Sequence, residues 1–275
     1  EGELRDTVRR LLAERCDPTA VTAMHDGDRS IVAPLWTALA GDLGLAGLLV
    51  PDNLGGAGAS AREMAAVLDE LGRAVAPVPM LTSAVIATVA VVDTDSALVG
   101  ELAAGERTAA LAVPLSLPPD GDLPVLSVDA GGQVMGSVTS VAGAIEADVL
   151  IALVESDDGP ALAVVEAADA TVTPVVSLDM TRQLADVSFD GAAAVLLDGD
   201  GDAAVRRALL AGAALLASEQ AGIARWCLEA TVEYLGERKQ FGRVVGSFQA
   251  LKHRLADLYV DVESASAAAA NAAAA

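Results

Sequence analysis

Apolar residues recur at helical spacing over roughly the first hundred positions, give way to short β-branched runs, and return to helical spacing for the rest of the chain. Over residues 3–15, Leu4, Val8, Leu11 and Leu12 lie between charges and predict an amphipathic helix that Pro18 ends. Leu35, Leu39 and Leu43 predict a second helix over 33–43. The turn Pro51-Asp52-Asn53-Leu54-Gly55-Gly56-Ala57-Gly58 follows, and its glycines permit positive φ or close backbone approach. It has no preceding strand, no lysine and no dinucleotide-binding spacing, so it reads as a tight connector rather than a phosphate cradle. Ser60 and Glu63 make a capping box for a helix running to Arg73 on the stripe Met64, Val67, Leu68 and Leu71. Two more helical pieces fall within 80–103, parted near Asp93-Thr94-Asp95-Ser96, with Ser96 placed to cap the second.

From Thr108 the pattern changes to short runs at 109–113, 125–128, 149–154, 161–165, 171–176, 186–189 and 194–197, separated by Gly, Pro and Asp. Runs so short and so evenly spaced predict a small antiparallel β-barrel or sandwich. The acidic loops, among them Asp157-Asp158 and 198–202, read as solvated turns, and no carboxylate spacing resembles a calcium loop.

Helix returns at Ala203, with Val205, Leu209, Leu216, Ile223, Trp226 and Ala230 on one stripe. The small residues Gly212, Ala213, Ala217 and Ala221 allow close approach of a neighbouring helix or a ligand. Glu219 falls near the stripe, where two readings fit: a desolvated general base, or a packing carboxylate satisfied by a neighbouring helix. A last helix, with Leu251, Leu255, Leu258 and Val262 on one side, starts after Ser247 as N-cap. Between the two helices lies Arg238-Lys239-Gln240-Phe241-Gly242, where a cation, an aromatic face and the amide of Gln249 fall within twelve residues. Such a set suits a phosphorylated ring system. An ordinary helix terminus, with basic residues opposing the macrodipole and glycine ending the helix, fits as well.

Composition narrows the function classes. The chain has 275 residues, of which 53% are hydrophobic and only 3% aromatic, enough for two or three aliphatic-cored units. Seventeen basic against 39 acidic residues give a net charge of −22, which disfavours nucleic acid and anionic membranes as partners. A local basic corner at Arg238, Lys239, Arg243, Lys252, His253 and Arg254 stands against that field. Cys16 and Cys227 have no metal or redox spacing, and no metal ligand set is expected. With no signal-like opening and no membrane-spanning run, a cytoplasmic protein is expected. From the opening without methionine and an alanine-rich helical tail that stops in mid-pattern, an incomplete chain is expected.

The order of helical unit, small β unit and long helical hairpin resembles the acyl-CoA dehydrogenase family. Leu43-Gly44-Leu45 running into the 51–58 turn is similar to that family's amino-terminal glycine-rich turn. Asp179-Met180-Thr181-Arg182 with the strand after it resembles the segment closing its β domain. Glu237-Arg238-Lys239-Gln240-Phe241-Gly242 with Phe248-Gln249 and Leu255-Ala256-Asp257 is similar to its "ERxQFG…FQxxxxxLAD" motif. The resemblance implies an α+β multidomain fold: a helical domain over 1–107, a β domain over 108–200, and a helical bundle over 201–275, incomplete here. It implies FAD held across a subunit interface by Arg238, Phe241 and Gln249. The implied reaction is α,β-dehydrogenation of an acyl-CoA or acyl-carrier thioester, with an electron-transfer acceptor and a homo- or hetero-oligomer that is a dimer of dimers.

The same comparison finds departures. The stretch Ala112 to Gly121 lacks the family's Thr-Glu-Pro-like flavin and thioester contact. Aligned from Gly136, Ser140 stands where an aromatic residue is common and Ala142 where a hydroxyl meets the flavin. Gly212 stands where one branch of the family places its base, Ala213 stands where many members carry arginine, and the other branch's glutamate falls past Ala275, so no catalytic residue is assigned. Three readings follow: an ordinary acyl-CoA dehydrogenase whose last helices are absent from this sequence, a catalytically reduced subunit sharing FAD in a heteromer as in bacterial steroid side-chain degradation, or a structural protein that kept the fold.

Overall fold

The computed structural model describes residues 1–157 and 159–275, so the solvated turn expected at Asp157-Asp158 lies partly outside the described residues. The helices are α1 (Gly2–Arg15), α2 (Pro18–Ala23), α3 (Val32–Trp36), α4 (Ala61–Ala74), α5 (Thr88–Val91), α6 (Leu98–Ala103), α7 (Gly201–Glu237) and α8 (Gln249–Ala272). The strands are β1 (Ala109–Leu111), β2 (Leu126–Val128), β3 (Gln133–Ala142), β4 (Val149–Ser156), β5 (Gly159–Glu166), β6 (Thr171–Val175) and β7 (Leu184–Leu197), with a hairpin of β8 (Lys239–Gln240) and β9 (Arg243–Val244) between the last two helices. Two compact units result: residues 15–60 with 77–213, and residues 1–14, 61–76 and 214–275.

In the first unit the strands close on themselves in the order β4-β2-β3-β7-β5 and back to β4, with β1 on the edge of β4 and β6 on β7. The pairings are antiparallel except that β1 and β2 run parallel to β4, a refinement of the all-antiparallel expectation. The unbroken apolar run of β4 follows from burial on both faces. Leu150, Ala152 and Val154 fill the barrel with Val138, Val187 and Phe189, while Val149, Ile151 and Leu153 pack toward helical residues Ala87, Val91 and Val205.

Two expectations about strands change. The run at 133–142 is a strand that the sequence pattern does not predict, because Gly136 and three polar residues interrupt its alternation, yet Val134, Val138 and Val141 are buried there. The runs at 186–189 and 194–197 are one strand, β7. Gly191, at φ +75°, is the extra residue of a bulge opposite β3, which lets the strand bend without ending. A second bulge sets Thr139 and Ser140 against Asp186, with Ser140 at φ +57° and its N–H donated to Asp186 Oδ1 at 2.9 Å.

The helices also depart locally from the expectation. Pro18 begins α2 as well as following α1, since a first-turn proline loses no hydrogen bond and Asp17 Oδ1 caps the Thr19 N–H at 2.9 Å. The helix expected over 33–43 is α3 prolonged by a wider π-helical stretch, Thr37–Asp42, and another such stretch, Met80–Ala87, leads into α5. The 51–58 turn folds back onto the backbone before it: Ala57, Gly58 and Ala59 donate their N–H groups to the Gly47, Val50 and Leu48 carbonyls at 2.8–2.9 Å. A Cβ on Gly56 would stand 2.0 Å from the Val50 carbonyl oxygen. The amides of Leu54 to Ala59 are thus bonded within the protein, as in a tight connector.

In the second unit α4 and α7 cross at backbone contact. A Cβ on Gly72 would lie 2.0 Å from the Glu219 carbonyl oxygen, and one on Gly222 would lie 2.0 Å from that of Asp69. Beside this crossing Asp69 and Glu70 are buried carboxylates. Arg9 grips Glu70 with Nε at 2.9 Å and Nη2 at 2.7 Å, Arg5 bonds both carboxylates, and Arg225 joins Asp69 and Ser266 at 2.9 Å each. Burial pushes the Glu70 carboxyl up, and the hydrogen bonds and charges of Arg9 and Arg5 outweigh it, leaving Glu70 below the usual carboxylate range.

Candidate functional site

The corner at 238–249 lies entirely within the second unit. Helix α7 closes on Tyr234, whose carbonyl accepts the Arg238 N–H at 2.9 Å, and the Arg238 carbonyl accepts the Val245 N–H at 2.7 Å. Lys239 pairs with Val244 and Gln240 with Arg243, so Phe241 and Gly242 are the two loop residues of a tight hairpin. Both have positive φ, +51° and +77°, as a type I′ turn demands. Asn-Gly is the favoured pair for that turn; phenylalanine in the left-handed region costs about 1–3 kcal/mol. Its ring is nevertheless 90% exposed. A strained backbone that holds an aromatic face out in water is a feature that packing does not account for.

Phe241 meets Phe248 edge to face, with ring centroids 6.2 Å apart and planes at 87°. The Arg243 guanidinium carbon lies 3.9 Å above the centroid of Phe248. Gln249 is the first residue of α8, exposed, with Nε2 at 3.4 Å from His253 Nε2. The Arg238 side chain is exposed and has no side-chain partner among the described residues. The fold therefore joins the three expected residues through one hairpin: Arg238 at its base, Phe241 at its tip, and Gln249 beyond the ring on which that tip rests. Sequence reasoning passes over Arg243 and Phe248 as a pair; their cation–π stacking depends on the hairpin register, which the Phe-Gly loop disguises. Ser247 is not the cap of α8. Its hydroxyl donates to the Val244 carbonyl at 2.6 Å, closing the turn before the helix, and Phe248 takes the N-cap position.

The first unit holds a small apolar pocket of about 30 Å³, lined by Thr82, Ile86, Pro114, Leu115, Ala142 and Leu209, with Leu111 and Val113. That is about the share of liquid volume of one water molecule, far below the several hundred Å³ of a small-molecule site. Its lining contains no carboxylate, and its one hydroxyl, on Thr82, faces the Pro79 carbonyl at 3.4 Å. Ala142 reaches the lining through the Ser140 bulge and offers only a methyl group. A Cβ on Gly212 would meet Ile86 Cγ1 at 2.7 Å, so a side chain on that turn of α7 needs the half-buried Ile86 to shift. The segment beyond Leu115 is pinned to α7: Arg206 Nη1 donates to the Pro119 and Gly121 carbonyls at 3.0 and 3.1 Å, and Leu117 and Leu123 pack on the core.

Glu219 lies in the second unit at the α4 crossing, half-buried and engaged, and does not line this pocket. Burial pushes the Cys16 thiol up to about 11, which leaves it protonated and unreactive at neutral pH. Among the described residues no cluster of His, Cys, Asp and Glu could hold a metal ion, and no helix is long and apolar enough to cross a membrane.

Comparison with known proteins gives the same picture from outside. Residues 1–94 match the model of the acyl-CoA dehydrogenase N-terminal domain, and residues 199–275 match that of the acyl-CoA dehydrogenase C-terminal domain. Acyl-CoA dehydrogenase IpdE2 of Mycobacterium tuberculosis is 36% identical over 272 residues, 98% of this chain and 74% of that protein. Among solved structures, the ChsE4-ChsE5 complex from Mycobacterium tuberculosis is 28% identical with a TM-score of 0.85, covering 99% of this chain and 76% of the other. The Tcur3481-Tcur3483 steroid acyl-CoA dehydrogenase G363A variant is 28% identical with a TM-score of 0.80, covering 99% and 80%. With a β-barrel between the two matched helical regions and a relative 36% identical over nearly the whole of this chain, the chain belongs to the acyl-CoA dehydrogenase family.

Proposed function

We propose that this chain is the flavin-holding subunit of a heteromeric acyl-CoA dehydrogenase, with the catalytic base and the thioester pocket supplied by a partner chain of the same fold. The observation that carries the reading is the contrast between the two places just described: a strained, exposed aromatic corner beside an unpaired guanidinium, and an apolar pocket the size of one water. Arg238 suits a pyrophosphate, since a guanidinium offers paired donors at fixed spacing. The exposed face of Phe241 suits a flat heterocycle, and the Gln249 amide can read its edge. FAD, when bound, supplies the acceptor for the hydride leaving the β-carbon as a carboxylate takes the α-proton. No residue lining that 30 Å³ pocket can take the proton, and a side chain on Gly212 would need Ile86 to shift before a carboxylate could stand there. Both 28%-identical structures named above are complexes or paired subunits, which supports a heteromer here.

The second reading is a dehydrogenase complete in one chain, favoured by the likeness to IpdE2, which is itself named an acyl-CoA dehydrogenase. The experiment is purification of the full gene product alone and with co-expressed homologues, then addition of FAD and of steroidal and fatty acyl-CoA with an electron-accepting dye. Flavin absorbance with turnover only in the mixed preparation supports the subunit reading. Turnover by the chain alone overturns it in favour of the second. A colourless protein in every combination overturns both.

A further inference from the structure

Resting on the cofactor reading above, we infer that Phe248 is the positioning residue of the corner: its ring sets the orientation of Phe241 and engages the charge of Arg243, leaving Arg238 to the anionic part of the ligand. Four observations converge. The Phe241 turn is a two-residue loop with both φ positive, so the backbone fixes where the ring starts but not how it turns about its side-chain torsions. The perpendicular contact with Phe248 at 6.2 Å supplies that restraint, in the edge-to-face arrangement that ring quadrupoles favour.

Phe248 is also tied to the backbone at both ends. Its N–H donates to the Val245 carbonyl at 3.1 Å, and its own carbonyl accepts from Leu251 and Lys252 at 3.1 Å, so the ring stands on the start of α8 and not on a loose loop. Finally, Arg243 lies over it at 3.9 Å. A guanidinium so placed is held against a ring, which distinguishes it from Arg238, whose side chain has no such partner among the described residues, where sequence spacing alone cannot tell the two apart.

The test uses the FAD-loaded protein in whichever subunit combination takes up flavin, with Phe248→Leu, Phe248→Tyr, Arg243→Leu and Arg238→Ala compared for FAD affinity, salt dependence of that affinity and melting temperature. Phe248→Leu is expected to weaken FAD binding about tenfold, which is about 1.4 kcal/mol. Phe248→Tyr, which keeps the ring, should restore binding to within about twofold, a rescue that a loss of general packing would not discriminate. Arg243→Leu should weaken binding by about threefold with the salt dependence unchanged, whereas Arg238→Ala should reduce both affinity and salt dependence. Wild-type affinity in Phe248→Leu, or equal weakening in Phe248→Tyr, overturns the role of Phe248 and leaves the cofactor reading standing. A lost salt dependence in Arg243→Leu overturns the division of labour between the arginines. Absence of FAD uptake by the wild-type protein in every combination overturns the cofactor reading and this inference together.

Discussion

Replacing Gly72 by alanine should destabilise the second unit, although alanine is the better helix former by about 1 kcal/mol. The added methyl carbon would stand 2.0 Å from the carbonyl oxygen of Glu219, where an ordinary contact needs about 3.4 Å. The obstacle is backbone on the facing helix, so no side chain can swing aside, and α4 and α7 must part by more than an ångström. Overpacking of this kind costs about 1–3 kcal/mol, and the separation also pulls Asp69 from Arg225. After subtraction of the helix-propensity gain, overpacking leaves a net loss of up to about 2 kcal/mol, to which the weakened Arg225–Asp69 bond adds. Gly222→Ala, facing the Asp69 carbonyl at the same 2.0 Å, should behave alike. Gly236, also in α7, has nothing within 4 Å of an added methyl, and Gly236→Ala should be neutral or stabilising by up to about 1 kcal/mol. Urea unfolding followed by circular dichroism gives all three midpoints in one series. Equal or raised midpoints for Gly72→Ala and Gly222→Ala would refute the close crossing, whatever Gly236→Ala does.

Three further outcomes are expected. Glu70→Gln removes the one fully buried charge of this network and should cost about 1–3 kcal/mol, because the arginines left behind are partly exposed. Because the folded carboxyl is held below its ordinary value, its contribution is present above about pH 4.3 and disappears as pH falls through the folded value, so the variant should lose stability less steeply on acidification than the wild type; parallel acid titrations would contradict this. Arg206→Ala frees the carbonyls of Pro119 and Gly121, and hydrogen exchange at the Leu117 and Gly121 amides should accelerate at least about tenfold while β4 amides stay protected; unchanged exchange at 117–121 would count against the latch. Phe241→Asn places the favoured residue in a type I′ turn and should raise stability by about 1 kcal/mol while weakening FAD uptake, and a variant that is less stable or binds FAD as before would contradict the strain argument.

Most of the architecture was legible because binary patterning carries it. The stripe of Met64, Val67 and Leu68 marks α4, and the apolar run of 149–154 marks a strand buried on both faces. What was not legible depends on contacts between distant segments. Strand β3 is held by pairing to β7 rather than by its own alternation, and β7 survives Gly191 because a bulge absorbs it. Gly72 and Gly222 look like ordinary helix-weakening glycines until the facing helix is in place. At the site, the identities of Arg238, Phe241 and Gln249 came from a local motif, whereas the stacking of Arg243 on Phe248 required the hairpin register. The glutamate at position 219 illustrates the converse: the sequence placed it correctly near a buried stripe, but only the α4 crossing decides between packing and proton transfer.

The fit of Ile86 into the space above Gly212 also constrains how this chain can change over generations. A glutamate introduced at 212 into the present background would collide with Ile86 at 2.7 Å, and shortening Ile86 first would open a hole in a packed core before any carboxylate arrived to use it. The obstacle is a half-buried side chain and not backbone, so the two orders are unequal: a residue added at 212 asks Ile86 to shift, whereas shortening Ile86 first leaves a gap that nothing yet fills.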